Sequence, residues 1–173
     1  MKFKVKVLML LLLSVATVFA LVGCKKEEAI EIALVTDVGN IDDKSFNEGS
    51  WKGVLKYATE NEKTYAYYRP SEDSTASRVE TIETAIEKGA KVVVCPGYLF
   101  EEAIYLLQDE YPETSFLLLD GEPHDASYEK YKTSSNVTCI LYNEEQAGYF
   151  AGYAAVMDGY RKLGFIGGIA VPA

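Results

Sequence analysis

The feature that most constrains the fold is a regular alternation of short apolar runs with longer segments of helical periodicity. The segment 45–59 shows the helical pattern, since Trp51, Val54, Leu55 and Ala58 recur at i, i+3, i+4 and i+7. Strands that alternate with helices through short connections form a parallel sheet with helices on both faces. The sequence therefore predicts an α/β fold with a doubly wound, mostly parallel sheet. The apolar runs predicted as strands are residues 30–36, 64–68, 91–95, 115–119, 137–141 and 163–166.

The N-terminus has a different character from the rest of the chain. Lys2, Lys4 and Lys6 precede an apolar stretch, which is the arrangement of a secretory signal peptide. The stretch ends in LVGC, which resembles the lipobox of bacterial lipoproteins, whose cysteine is acylated and becomes the new N-terminus. We therefore predict a signal peptide at 1–23, lipidation of Cys24 and a tether at 24–29. The alternative is an uncleaved membrane anchor, and either interpretation predicts a protein held at the extracytoplasmic face of the cell membrane.

The charge of the predicted mature chain narrows the class of ligand. Removing residues 1–23 removes three lysines and no acids, which leaves 14 basic and 26 acidic residues and a net charge of about −12. Such a negative field repels phosphate backbones and acidic membranes. Nucleic acid and phosphorylated substrates are therefore not predicted partners, whereas neutral or cationic ligands remain open.

Few residues of the chain suggest metal, redox or nucleophilic chemistry. Cys95 and Cys139 lie in apolar runs, and two buried thiols are favoured over a disulfide. The single histidine, His124, argues against a histidine-based catalytic triad and against a histidine-rich metal site. The glycines near the C-terminus match neither a dinucleotide fingerprint nor a P-loop. The sequence predicts no cofactor and no metal.

Polar or conformationally special residues follow three of the predicted strands. Asp37 follows the first strand, Gly97 and Tyr98 follow the third, and Asp120 follows the fourth. Ligands of open α/β sheets bind outside the carboxyl ends of the strands. The two carboxylates could form a general acid/base pair or could accept hydrogen bonds from a ligand. Acceptors are favoured because no nucleophile with a partnered base accompanies them, and Asp37 could also simply cap its own loop.

The start of the first helix adds two further candidates. Ser45 and Glu48 have the spacing of a capping box, which places Phe46 and Asn47 in the first turn. An aromatic ring there can stack on a flat ligand, and an asparagine offers both a donor and an acceptor. Alternatively, Phe46 only covers the end of the core and Asn47 only begins the helix. The pair Asn143 and Gln146 repeats the capping-box spacing before the last predicted helix.

Four segments together resemble a known family. They are TDVGNIDDKSFNEGSWKG, VVVCPGY, FLLLDG and NEEQAGYFAGYAA with the later KLGFIGG. These segments are similar to the basic membrane protein (BMP) family, whose lipoproteins resemble the purine-nucleoside receptor lipoproteins. The resemblance runs from about Ile30 to Gly168. It implies a substrate-binding protein of an ABC importer with the type I periplasmic-binding-protein fold, in which two α/β lobes close around a ligand.

The resemblance also implies roles for individual residues. Phe46 would stack on a nucleobase, and the remaining positions would surround that base. The hydrogen-bonding positions would be Asp37, Asn47 and Asp120, and the bordering positions would be Gly97 and Tyr98.

The resemblance further implies a division into lobes. Residues 30–141 would form the N-terminal α/β lobe and residues 142–173 the beginning of the second, in a chain truncated at Ala173. The implied ligand is a purine nucleoside such as inosine, adenosine or guanosine, and the implied partners are an ABC permease and its ATPase. No enzymatic activity is expected. The alternatives are a receptor for a sugar or signalling molecule coupled to a sensor, and a lipid-anchored nucleoside hydrolase that uses Asp37 and Asp120.

Overall fold

The computed structural model describes residues 29–167, in which one parallel sheet carries the architecture. The sheet has five strands in the order β2-β1-β3-β4-β5, and every neighbouring pair is parallel. The α/β class and the parallel sheet predicted from the sequence are therefore confirmed. The strands are β1 (Ile32–Val35), β2 (Tyr65–Tyr68), β3 (Val92–Pro96), β4 (Ser115–Leu119) and β5 (Val137–Ile140).

Helices connect most of these strands. Helix α1 (Phe46–Glu60) joins β1 to β2, and α2 (Thr75–Glu87) joins β2 to β3. A 3-10 turn (Tyr98–Phe100) leads directly into α3 (Glu101–Leu107), which joins β3 to β4. Helix α4 (Glu144–Met157) follows β5. Ten residues separate β1 from α1, six separate β2 from α2, and seventeen residues without a helix join β4 to β5.

The core lies on both faces of the sheet. On one face, Ile32 and Leu34 pack with Val54 and Ala58 of α1. On the other face, alternate residues of the same strands pack against α2 and α3 in a larger cluster that includes Phe100. Because both faces are covered, every position of β1 must be apolar, which explains its unbroken hydrophobic sequence.

The strand order places the predicted site residues on neighbouring strands. The chain moves from β1 to β2 on one side and then to β3 on the other, so the order reverses between β1 and β3. Ligand crevices of open α/β sheets form at such a reversal, outside the carboxyl ends of the strands. Asp37, Gly97 and Asp120 follow β1, β3 and β4, which are consecutive in the sheet.

The predicted sixth strand at residues 163–166 is wrong. Residues 161–167 form no strand, and Phe165 and Ile166 are 94% and 97% exposed. Helix α4 forms as predicted, but it buries none of its residues, and Phe150 is 64% exposed. An apolar run becomes a strand only where a neighbouring strand completes its hydrogen bonds, and none does so here within residues 29–167.

Both cysteines are free thiols, as predicted, but only Cys95 is buried, whereas Cys139 is half-buried. Burial raises the pKa of the Cys95 thiol, so Cys95 remains a protonated, small apolar side chain. Cys24 and the predicted signal peptide lie outside the described residues. Between residues 29 and 167, no helix is long and apolar enough to cross a membrane.

Candidate functional site

Asp37 is held by one of its two carboxylate oxygens. It is half-buried and lies two residues after the end of β1, next to the fully buried Thr36. Its Oδ1 accepts the backbone N–H of Gly39 at 2.6 Å and a side-chain N–H of Asn47 at 2.7 Å. No donor within residues 29–167 reaches its Oδ2. The carboxylate is therefore fixed in the protein while one oxygen remains available as an acceptor.

Asn47 supports Asp37 directly. Its side chain is only 2% exposed, and Nδ2 donates both to Asp37 Oδ1 and to Asp43 Oδ2, the latter at 3.0 Å. Its Oδ1 accepts the backbone N–H of Asp37 at 3.3 Å. Both amide protons are used within the protein, and only one lone pair of Oδ1 remains. The predicted contact of Asn47 with a ligand stays a prediction, whereas its contact with Asp37 is observed.

Gly39 permits this close packing. A Cβ atom at residue 39 would lie 2.6 Å from Nδ2 of Asn47 and 3.0 Å from Oδ1 of Asp37. Both neighbours are fixed by hydrogen bonds, so neither can move away cheaply. The glycine of the DVGN segment is therefore required by the network around Asp37 and not only by a turn.

The cap of α1 differs from the predicted one. Ser45 precedes the helix, but its side chain makes no capping hydrogen bond, so the predicted capping box with Glu48 is wrong. Asp43 caps the helix instead, since Oδ1 accepts the N–H groups of Ser45 and Glu48 and Oδ2 accepts that of Asn47. Glu48 accepts the N–H of Lys44. The acidic pair before the serine was the available sequence signal for this cap.

The predicted capping box before α4 is also wrong. The side chain of Asn143 makes no capping hydrogen bond. The N–H of Gln146 donates instead to the backbone carbonyl of Asn143 at 3.0 Å.

Asp43 should make stability depend on acid pH. Burial opposes its ionisation, but the N–H groups of Glu48, Ser45 and Asn47 outweigh it and hold the pKa of this carboxyl below its ordinary value of 3.8. A lowered pKa gives a contribution that is complete above the ordinary value and is lost as the pH falls through the folded value. We expect Asp43→Ala to lower the Tm at neutral pH, and the gap to the wild type to close below the ordinary pKa.

Thermal melts followed by circular dichroism between about pH 7 and pH 2 would measure this gap. Asp42→Ala is the matched control, because Asp42 is the neighbouring acid and makes no capping hydrogen bond to α1. A gap between wild type and Asp43→Ala that stays constant over the whole range would contradict the capping role of the charge.

Phe46 lies half-buried in the first turn of α1, as predicted. Its ring meets the ring of Tyr142 edge to face, with centroids 6.3 Å apart. Tyr142 follows β5 and is 48% exposed, and sequence reasoning missed it. Two aromatic side chains therefore lie together at the carboxyl edge of the sheet, on the segments that follow β1 and β5.

The end of β3 is tied to the end of β4. Gly97 has a φ of 110°, which favours glycine, and its N–H donates to the carbonyl of Leu119 at 2.8 Å. Leu119 immediately precedes Asp120. Tyr98 begins the 3-10 turn and is 40% exposed. The structure thus links two of the predicted site segments through one backbone hydrogen bond.

Asp120 lies half-buried in an acidic environment. Its backbone has a φ of 66°, and its N–H donates to the carbonyl of Ile140 at 2.7 Å. Burial raises the pKa of its carboxyl, and a side-chain hydrogen bond with Glu144 and the negative charges of Glu144 and Glu101 raise that pKa further. Glu144 stands in the first turn of α4 and was not identified from the sequence.

Together these residues provide hydrogen-bond acceptors and aromatic surface at one edge of the sheet. The structure places the six predicted site residues after β1, β3 and β4. Within residues 29–167, no group of three or more histidine, cysteine or acidic side chains could hold a metal ion. The arrangement is suited to binding a ligand that carries N–H or O–H donors and a flat apolar face.

A parallel sheet with polar side chains at this edge defines a class of open-sheet ligand-binding domains. The fold is similar to a crystal structure of ABC transporter solute-binding proteins from Aeropyrum pernix K1. The TM-score is 0.61 at 22% identity, over 76% of this chain and 35% of the other. At this identity the likeness concerns the fold alone.

Residues 30–173 match the Bmp family, described as ABC transporter substrate-binding protein PnrA-like. The chain belongs to this family, as the sequence resemblance indicated. It is 26% identical to the ABC transporter nucleoside-binding protein BmpA of Lactococcus lactis, over 96% of this chain and 49% of that protein. It is 27% identical to the CD4+ T-cell-stimulating antigen of Listeria monocytogenes, over 84% of this chain and 40% of that protein. The chain thus spans half or less of these relatives.

Proposed function

We propose that this chain is the ligand-binding part of an extracytoplasmic substrate-binding protein that captures a nucleoside for an ABC importer. One observation carries the proposal: a fixed carboxylate with an available oxygen, Asp37, lies next to the helix turn that presents Phe46. Asp120 follows β4, which is separated from β1 in the sheet only by β3. Membership of a family of ABC transporter substrate-binding proteins supports the same function. The similarity to the nucleoside-binding protein BmpA of Lactococcus lactis supports the nucleoside as ligand.

The carboxylates favour a ligand that donates hydrogen bonds. Asp37 is fixed through Oδ1, so Oδ2 can accept a base N–H or a ribose O–H without first being ordered. A site that bonds polar ligand groups discriminates against analogues that lack them, because its own buried groups are then left unpaired. The net charge of about −12 in the predicted mature chain disfavours nucleotides relative to nucleosides.

The rest of the proposed assembly is what the family resemblance and the signal-peptide and lipobox patterns imply. A second lobe would complete the binding cleft, with residues 142–173 as its beginning and residues 30–141 as the first lobe. Acylated Cys24 would anchor the protein to the membrane, and an ABC permease with its ATPase would receive the ligand. The proposed role requires no catalytic step and no cofactor.

Phe46→Ala in the full-length protein is expected to weaken nucleoside binding by roughly 1–3 kcal/mol, the range of base–aromatic stacking. Isothermal titration calorimetry with inosine, adenosine and guanosine would measure the loss. Tyr57→Ala is the matched control, since Tyr57 is an aromatic residue of the same helix and is 58% exposed. An unchanged affinity in Phe46→Ala would exclude Phe46 as the stacking residue.

Mass spectrometry of small molecules that co-purify with the full-length protein tests the function itself. The expected result is a purine nucleoside released on denaturation. Incubation with inosine should yield no free base. Release of hypoxanthine that depends on Asp37 and Asp120 would instead favour the hydrolase, and a bound sugar would favour the sensory receptor.

A further inference from the structure

The connection between β4 and β5 contains a buried histidine that contacts a backbone carbonyl, a carboxyl group and two aromatic rings. His124 is 4% exposed, although it lies in a polar connection. Its Nδ1 lies 2.7 Å from the backbone carbonyl oxygen of Asp125, and its Nε2 lies 3.0 Å from Oε2 of Glu101. The ring stacks on Tyr128 with centroids 4.1 Å apart and is tilted against Tyr131 at 5.3 Å. The ring is therefore fixed on both edges and on its face.

Glu101, the first residue of α3, holds the same connection with its second oxygen. Its Oε1 accepts the backbone N–H of Glu122 at 3.0 Å. A Cβ atom at residue 121 would lie 2.7 Å from that Oε1, so the contact requires Gly121. One carboxyl group thus binds the chain at two points, Glu122 and His124, and packs directly against the glycine between Asp120 and Glu122.

The hydrogen-bond donors and acceptors around His124 and Glu101 determine how many protons these two side chains hold together. The Asp125 carbonyl only accepts, so Nδ1 of His124 must donate. One more proton must lie between Nε2 and the Glu101 carboxyl for that contact to be a hydrogen bond. A glutamine at residue 101 can keep both contacts, because its oxygen can accept from Glu122 and its NH₂ can donate to Nε2.

These contacts affect Asp120 because it directly precedes residues 121–124, the segment that Glu101 holds. Asp120 has a φ of 66°, a region that non-glycine residues rarely occupy, so surrounding contacts must hold it there. On one side its N–H is bonded to Ile140 of β5. On the other side, Glu101 bonds to Glu122 and His124 and lies close against Gly121.

We propose that Glu101 and His124 are positioning residues that hold Asp120 in its ligand-accepting orientation and thereby set the affinity of the site. The inference rests on the proposed function, because it takes Asp120 as a ligand contact. Glu101 and His124 act through the backbone of residues 120–124. The charge of Glu101 also raises the pKa of the Asp120 carboxyl, and Glu101→Gln separates the two effects because it removes the charge and can keep both contacts.

A double-mutant cycle in the full-length protein tests this directly. Glu101→Ala is expected to weaken nucleoside binding about 10-fold or more, the scale of a lost hydrogen bond to a charged group. Glu101→Gln should stay within about 3-fold of the wild type, because glutamine can keep both contacts. In an Asp120→Ala background, Glu101→Ala should cause no further loss.

Glu102→Ala is the matched control. Glu102 is the next residue of α3, and its Oε2 accepts the hydroxyl of Thr75 at 2.7 Å, away from the β4–β5 connection. The Glu102→Ala variant also removes one glutamate charge from α3, and it should leave the affinity for nucleoside unchanged. Equal losses from Glu101→Ala with and without Asp120 would overturn the inference, as would full affinity in Glu101→Ala.

Hydrogen exchange of the unliganded protein separates this inference from the proposed function. Glu101→Ala should speed exchange of the backbone amides of residues 120–124 and leave α1 unchanged. Unchanged exchange there would overturn the positioning role even in a protein that binds nucleoside. A wild-type protein that binds no nucleoside would contradict the proposed function. Faster exchange in Glu101→Ala, confined to residues 120–124, would still support the role of Glu101 in holding this segment.

Discussion

Asn47→Ala is expected to lower the free energy of unfolding by roughly 1–3 kcal/mol, the range for buried groups left without hydrogen bonds. The substitution removes the acceptor of the Asp37 N–H and the donor to Asp37 Oδ1 at a site that is 2% exposed. It also removes the link from Asp37 to the cap residue Asp43. Because Asp37 then loses its fixed orientation, we expect nucleoside affinity to fall together with stability.

Urea denaturation and calorimetry on the same preparations would measure the two effects. Asn61→Ala is the matched control, since Asn61 caps the other end of α1 and donates to the Tyr57 carbonyl from an exposed position. Its expected effect on stability is about 0.5 kcal/mol or less. A loss of affinity in Asn47→Ala without any loss of stability would indicate that Asn47 contacts the ligand and does not support Asp37.

Phe100→Ala is expected to destabilise the protein by about 3–5 kcal/mol, as large-to-small substitutions of buried aromatic residues do. The Phe100 side chain is fully buried in the larger core cluster, and the guanidinium carbon of Arg78 lies 5.8 Å from the ring centre. Phe100 also ends the 3-10 turn that begins at Tyr98. The cavity should therefore loosen the segment after β3 as well as the core.

The control for this substitution lies on the next helix. Leu106→Ala removes a leucine that is 53% exposed and should change stability by about 0.5 kcal/mol or less. Chemical denaturation with an unchanged m-value would show that the difference lies in the native state. Similar losses for both variants would contradict the assignment of Phe100 to the core.

The strands and helices were predictable because their pattern is local. Every residue of β1 is buried, so its apolar run has a single interpretation, and β4 was predicted with its observed bounds. Helix ends were less predictable because several residues compete to cap them. Asp43 and Ser45 are both good capping residues, and only the three-dimensional path of the chain before α1 decides that Asp43 accepts the N–H groups of the helix.

The candidate site was predictable only in part, because local sequence patterns mark the strand ends but not the contacts between distant residues. The ends of β1, β3 and β4 are marked in the sequence, and their adjacency follows from parallel-sheet topology. The contact between Glu101 and His124 joins residues 23 positions apart, so no local pattern indicates it. The pairing of Phe46 with Tyr142 is more distant still. The incorrect prediction of a strand at 163–166 shows that an apolar run forms a strand only where a neighbouring strand can pair with it.

Under the proposed function, the network around Asp37 has a consequence for the thermodynamics of ligand binding. Its acceptor is ordered by Gly39 and Asn47 before any ligand arrives, so the conformational entropy of this side chain is lost during folding and not during binding. Preorganisation of this kind lets a small ligand bind tightly with few contacts. The ordering that remains would then lie in closure of the lobes. Ligand selectivity and the rate of closure would thus reside in different parts of the protein.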